Sequence, residues 1–367
     1  MRSRCSGFWA FLVLSSAVVS GCGGGTGGSV PANPPGSSNP APGPSTSAPS
    51  PSPTPTPTQT PSAASANYVP VFQSSFSYAG KTYPYSMVGA NPASLSTTTI
   101  PVEIVPVKLV FADGTVFDPA QVVSSLLTSP IFTTASFAAG ITQYGDAQMR
   151  SEFWQNAANS NYHVLLAAPQ VFPAVTENVP SADGSVVTQP DGTKLGEVTF
   201  NWFMNTVQVQ LIQQLGLKPT SVAFFSTADT RVLEPGSSTA TYGGYHDTFH
   251  LTTSSGSATF ATIWGAMFSS NTRDVTHVGH EVVEWLNDPF YPSNANIVPS
   301  WTNPGTTVCN SSLLEVADPV TLKLFTVNGY TFEDAAFLSW FSRQSPSSAI
   351  QGQYDLLNVL TSPASSC

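Results

Sequence analysis

From about residue 66 onward the chain predicts an α/β (α+β) fold: a mixed sheet with one helix backing it and a second, polar-faced helix, preceded by a β-rich part. Three observations carry this expectation. β-branched and aromatic residues dominate two runs, 68–72 and 100–111. Between 201 and 287 the periodicity then passes from helix to strands and back to helix. Hydrophobic residues make up 41% of the 367 and charged ones only 9%, which is enough apolar surface for a sizeable core.

The first residues carry Arg2 and Arg4, followed by an apolar run from Phe8 to Val19 that stops at Ser20 and Gly21. This reads as a secretory signal, residues 1–21, because the run is too short to span a bilayer. Val19-Ser20-Gly21-Cys22 resembles the lipobox of bacterial lipoprotein precursors, which implies lipidation of Cys22 and a membrane contact through the lipid alone. An ordinary signal peptide with a chance cysteine is the plainer alternative. Residues 22–65 are almost entirely Gly, Pro, Ser, Thr and Ala, including Pro51-Ser52-Pro53-Thr54-Pro55-Thr56, and form a disordered linker with nothing to bury. The globular part is then 66–367, with 66–135 as a candidate β-rich subdomain.

The chain has 21 acidic against 11 basic residues, a net charge of −10, which argues against nucleic acid as a partner. Of four cysteines, Cys5 leaves with the signal and Cys22 takes the lipid. Cys309 and Cys367 remain, and in an exported protein they are expected to bridge, for about 4 kcal/mol.

Element by element, strands are expected at 68–72 and 100–111, the second at an edge or bulged because it contains Pro101 and Pro106, with a turn at Ala112-Asp113-Gly114. A helix over 146–157 would put Met149, Phe153 and Trp154 on one face. The helix at 201–215 ends at Gly216 and Pro219. Strands follow at 221–226, 244–252 and 258–263, then a helix over 275–287 that Asp274 can cap and Pro289 ends.

That last helix carries His277, His280, Glu281, Glu284 and, just beyond, Asp288. At about 100° per residue these five share one arc, while Val275, Val278, Val282, Val283, Trp285 and Leu286 occupy the other side. Any amphipathic surface helix has a polar face, but such a face normally mixes Lys or Arg with its acids. Here three carboxylates and two histidines stand without a basic residue, an arrangement that a divalent cation would relieve.

His280-Glu281-Val282-Val283-Glu284 resembles the active-site helix of zincin metallopeptidases, with Glu284 where they have a second histidine. The resemblance implies a zincin-like sheet with backing helix and active-site helix, His280 and Glu284 as ligands of Zn2+, and Glu281 as general base. Four of the five histidines, His246, His250, His277 and His280, fall within about 35 residues. Downstream, Leu314-Glu315-Val316-Ala317-Asp318 places carboxylates about thirty residues after Glu284, as the glutamate ligand of gluzincins follows its helix. The third ligand is open among Glu315, Asp318, His246 and His277. His250 is a further ligand or substrate contact, and both strand histidines have a plainer reading as partners of buried carbonyls. The helix, Asp288-Pro289 and the later Glu-Val-Ala-Asp also resemble the exordium-type, phosphate-induced extracellular proteins. His163 is expected to have no role.

Two functions follow as expectations. The first is an exported, surface-tethered metal-dependent hydrolase, peptidase-like, acting on a peptide or cell-envelope substrate. The second is a non-catalytic surface binding or adhesion lipoprotein, consistent with the linker and with an aromatic content of 11%. A metal-free pairing of Glu281 and Glu284 for glycoside hydrolysis is disfavoured, since both project from one face of one helix and cannot flank a bond.

Overall fold

In the strand Val222–Ser226 successive side chains fall in opposite cores: Val222 and Phe224 in one, Ala223 and Phe225 in the other, all buried. A short, uninterrupted apolar run of this kind belongs inside a sheet covered on both faces. The computed structural model describes residues 67–367 except 254–255, 305–308 and 310–311. The expected signal, Cys22 and the linker lie outside the described residues.

The elements that build the frame are β1 (Val71–Tyr78) and β2 (Lys81–Val88), β3 (Val102–Val110), α1 (Tyr144–Glu152), β4 (Val175–Asn178), helix α2 (200–214), β5 (Val222–Ser226), β6 (Gly244–Thr253), β7 (Gly256–Gly265), α3 (Thr276–Asn287), β8 (Leu324–Val327) and β9 (Tyr330–Glu333). The large sheet runs β4-β3-β5-β7-β6. Its first four strands are parallel, and β6 closes the edge antiparallel to β7. The fold is therefore mixed α/β with several sheets, as expected. The β-rich part at 66–135 is built into it, since β3 is an inner strand.

That position corrects the expectation of an edge strand. β3 pairs β5 through residues 102–106 on one flank, while on the other a two-residue strand at Gln170–Val171 covers 103–104 and β4 covers 107–110. Pro106 sits where that second flank is interrupted, so its missing N–H leaves little of the ladder unmade. The expected strand at 68–72 begins instead at Val71 and pairs with β2 as a hairpin. The turn at Asp113-Gly114 forms as expected, with the Asp113 carboxylate accepting from Thr115 N at 2.9 Å.

α2 backs one face of the sheet. Trp202, Phe203, Val207, Leu211 and Ile212 pack with Val105, Val107, Phe225 and Trp264. Its middle segment, Phe203–Gln208, is wound as a π-helix, and the helix ends before Gly216 as the sequence implied. On the other face lies α3, whose Val275, Val278, Val282, Val283, Trp285 and Leu286 are all at most 3% exposed. Each of these is worth about 1.5–3 kcal/mol of burial. The helix starts one residue later than expected, with Val275 at the N-cap position and no side-chain cap, so Asp274 Oδ1 accepts only from Thr276 N, at 3.1 Å.

α1 departs from the expectation of an amphipathic helix over 146–157. The helix stops at Glu152, a second short one runs Trp154–Ala157, and every residue of Tyr144–Glu152 is buried. Asp146, Gln148 and Arg150 are tolerated there because they are bonded, while Ser151 Oγ and Glu152 Oε1 are buried without a partner. Asp146 takes the Val164 N–H at 2.6 Å and faces His163 Nδ1 at 2.7 Å, giving His163 a structural partner. Asn287 of α3 donates to Gln148 Oε1 at 3.0 Å, which ties the two helices.

α3 lies very close to the sheet because glycines face it. A Cβ on Gly265 would stand 2.6 Å from Val278 N and 2.8 Å from His277 C, both backbone atoms that cannot turn aside. Gly265→Ala should therefore destabilise the protein by about 1–3 kcal/mol through overpacking. A lowered urea midpoint is the expected readout, and an unchanged one would show that α3 can move off the sheet freely.

Candidate metal centre

The row Ile104, Phe224, Ile263, His246 runs across β3, β5, β7 and β6 on the α3 face of the sheet. Apolar side chains fill it until the edge strand, where His246 takes the last place beside the polar arc of α3. The sequence reading set that arc on the side of the helix away from the core. The structure buries it as well: Glu281 is 5%, Glu284 4% and Asp288 0% exposed. The helix is covered all round, by apolar side chains on one side and by other polar residues on the other.

Three segments supply that cover. From β6, His246 Nδ1 lies 3.1 Å from Glu281 Oε2 and 3.9 Å from Glu284 Oε2. From 314–318, the buried Leu314, Val316 and Ala317 anchor the chain in the core and leave Glu315 and Asp318 facing the helix. Asp318 Oδ1 stands 3.8 Å from His280 Nε2, and the Ala317 N–H donates to Glu284 Oε1 at 3.2 Å. From β9, Glu333 Oε2 receives a 2.6 Å bond from His280 Nδ1, and its other oxygen takes the Leu322 N–H. Across the helix turn, His280 Nε2 is 3.1 Å from Glu284 Oε1.

Sets of ligand atoms within 4.8 Å of one another are formed by His280, Glu281 and Glu284, and by His246, Glu284 and Glu315. A zinc ion about 2.1 Å from each donor spaces tetrahedral ligands about 3.4 Å apart, so the 3.1 Å between His280 Nε2 and Glu284 Oε1 suits a shared ion with little movement. Among the described residues no Lys or Arg pairs with these acids. His246 Nε2 and Asp288 Oδ2 are buried and lack a hydrogen-bond partner. The donor set therefore fits a divalent cation. Solvent reaches it at Asp318 and His280, whose side chains are 30% and 15% exposed.

The charge balance without an ion follows from burial. Burial disfavours a charged His280, yet Glu284 and Glu333 hold its pKa well above the ordinary imidazole value. Burial likewise opposes ionisation of Glu284, but His280 brings it below the ordinary range. Burial lifts Glu281, with His246 and His280 only partly offsetting it. Glu315 is pushed well up by burial and by Glu284, and Asp288 and Asp318 each to about 7.

Three of the expected site residues belong to neither ligand set: His250, His277 and Asp318, the last standing 3.8 Å from His280 Nε2. His250 shares a strand face with His246, but it is exposed and bonds Thr259 Oγ1 at 2.9 Å. His277 belongs to neither ligand set; its ring lies against Gly243, and burial lowers its pKa. Glu333 was missed by the sequence reading. The signal for it was present: Val327-Asn328-Gly329-Tyr330 is a two-residue hairpin turn between β8 and β9, with Asn328 and Gly329 at positive φ.

Glu333 orients His280 through the nitrogen that does not face Glu284, as the outer carboxylate of a metal-bound histidine does. Glu333→Ala should weaken Zn2+ binding about 10- to 100-fold by calorimetric titration. Unchanged affinity would remove it from the site.

A second expectation concerns pH in the presence of chelator. Burial raises Glu152 to about 8, and burial with the neighbouring Asp355 raises Asp334 to about 9. Ordinary carboxyls in the unfolded chain titrate near 4, so the folded state binds more protons across the interval between. Stability is fully present below pH 4 and is lost as pH rises through 8 to 9. The raised His280 works in the same direction, and Glu284 against it. The Tm of metal-free protein should fall between pH 5 and pH 8.5, and a rise would contradict the assignment.

Cys309 and Cys367 lie at disulfide distance, with Cα atoms 5.5 Å apart and a sequence separation of 58. No described helix is long and apolar enough to cross a membrane. No protein-family model, curated protein or solved structure matches the chain.

Proposed function

We propose that the chain is an exported, surface-tethered metal-dependent hydrolase, peptidase-like in chemistry and zincin-like in its sheet, backing helix and active-site helix. The observation that carries this reading is convergence. His280, Glu281 and Glu284 of one helix form one set at ligand spacing, Glu284 forms a second with His246 and with Glu315 of a separate segment, and Asp318 of that segment stands 3.8 Å from His280. In this reading His280 and Glu284 hold the cation together with Glu315 or Asp318, and Zn2+ suits a mixed nitrogen and carboxylate set. The cation would supply Lewis acidity and charge stabilisation at the scissile carbonyl.

The chain's own groups do the rest. Glu281 takes a proton from the attacking water and returns it to the leaving amine; its burial raises the pKa toward the value a base working near neutral pH needs. His246 holds the Glu281 carboxylate in place at 3.1 Å. Burial of the cluster excludes competing water, and the exposed Asp318 edge is the substrate's approach. The signal, the lipid on Cys22 and a location at the cell envelope belong to the same proposal, and the cysteine pair at bridging distance suits an oxidising compartment.

Metal analysis of protein purified without added metal tests the reading, and bound zinc is the expected result. Protein that carries no metal and takes up none when zinc is offered would overturn it, and would favour the non-catalytic surface binding lipoprotein.

A further inference from the structure

The Glu284 carboxylate stands between two imidazoles. Its Oε1 lies 3.1 Å from His280 Nε2, and its Oε2 lies 3.9 Å from His246 Nδ1. Each imidazole belongs to a different ligand set: His280 with Glu281 and Glu284, His246 with Glu284 and Glu315. No set among the described residues holds both, and Glu284 is the member common to the two.

We propose that the cluster binds two divalent cations bridged by the Glu284 carboxylate, one on the His280 side and one among His246, Glu284 and Glu315. The inference rests on the cation-binding reading above and extends it. As the one residue common to both ligand sets, Glu284 is placed as a bridge between ions, the arrangement in which paired metals clamp the two oxygens of a displacement.

Two further observations point to the second position. His246 Nε2 and Asp288 Oδ2 are buried polar atoms with no hydrogen-bond partner, and both residues are at most 3% exposed. Because Nδ1 of His246 is engaged by Glu281, Nε2 is the nitrogen left to ligate; leaving it unsatisfied costs about 1–3 kcal/mol, a penalty that a cation there removes. Asp288 interacts electrostatically with His246, Glu284 and Glu315, the members of the second set, which places it beside that set as outer support. The charge inventory agrees. Glu281, Glu284, Asp288, Glu315, Asp318 and Glu333 gather around two imidazoles with no Lys or Arg paired to them.

The experiment is a count. Protein stripped with chelator is dialysed to equilibrium against Zn2+ alone, and bound zinc per chain is measured by elemental mass spectrometry. Two ions per chain are expected, falling to one in His246→Gln and to one in Glu315→Gln, with far-ultraviolet dichroism showing each variant folded. One ion in the unaltered protein overturns the second position and leaves the single-ion reading intact. No ion overturns both. Two ions that persist in a folded His246→Gln or Glu315→Gln variant place the second ion elsewhere and also overturn the proposal. The unaltered protein alone decides between one and two, so a variant that fails to fold does not remove the test.

Discussion

Glu281→Gln should lower peptide hydrolysis by roughly 10²- to 10⁴-fold, the range that loss of a positioned general base costs. The exchange keeps the volume and one carbonyl oxygen, so the 3.1 Å contact from His246 Nδ1 has an acceptor still. What is lost is the ability to take a proton. The fall should therefore appear in kcat, with KM nearly unchanged and bound zinc retained. Bound zinc separates this outcome from simple disruption of the site, because His280 and Glu284 are untouched. Full hydrolysis by the variant would reject Glu281 as the base.

Removal of the cation is the second large effect. An ion present at about 1,000 times its Kd stabilises the folded state by about 4 kcal/mol. For a folded part of about 300 residues that corresponds to a Tm lowered by roughly 6 °C in strong chelator. The loss should be reversed by adding zinc, since α3, β6, β9 and the 314–318 segment hold the ligands from independent parts of the sheet and core. The acid cluster would be left with only protonation to relieve it, so the destabilisation should be larger at pH 8 than at pH 6. A thermal transition indifferent to chelator at both pH values would show that no ion takes part in the fold.

Much of the frame was legible because it depends on periodicity alone. The α3 span follows from its apolar face, and the end of α2 from Gly216. The strands β5, β6 and β7 follow from β-branched and aromatic runs. The same reasoning gave His280, Glu281 and Glu284 as neighbours, since helical spacing fixes them whatever else the chain does. It also left His246 among the candidates, because alternation puts His246 and His250 on one strand face.

Periodicity could not say that β6 carries His246 over the helix while His250 runs out past it into solvent; register across the sheet decides that. Nor could it show that the polar arc is covered. Glu333 comes from more than forty residues downstream, and only tertiary folding of the β8–β9 hairpin brings it to His280 Nδ1. Pro106 misled for a related reason. Proline is costly in a ladder only where a partner is present, and the gap between two short neighbouring strands is a tertiary fact. In α1 the buried Asp146, Gln148 and Arg150 find partners in nearby side chains and backbone, a solution that a hydropathy pattern does not reveal.

Gly243, Gly244 and Gly265 line the contact between the sheet edge and α3, and a Cβ on each would meet the His277 ring, the Glu281 carboxylate and the helix backbone respectively. These three positions constrain the scaffold whatever the polar cluster does. In any chain that keeps this packing but differs at His280 or Glu284, these three small residues should persist.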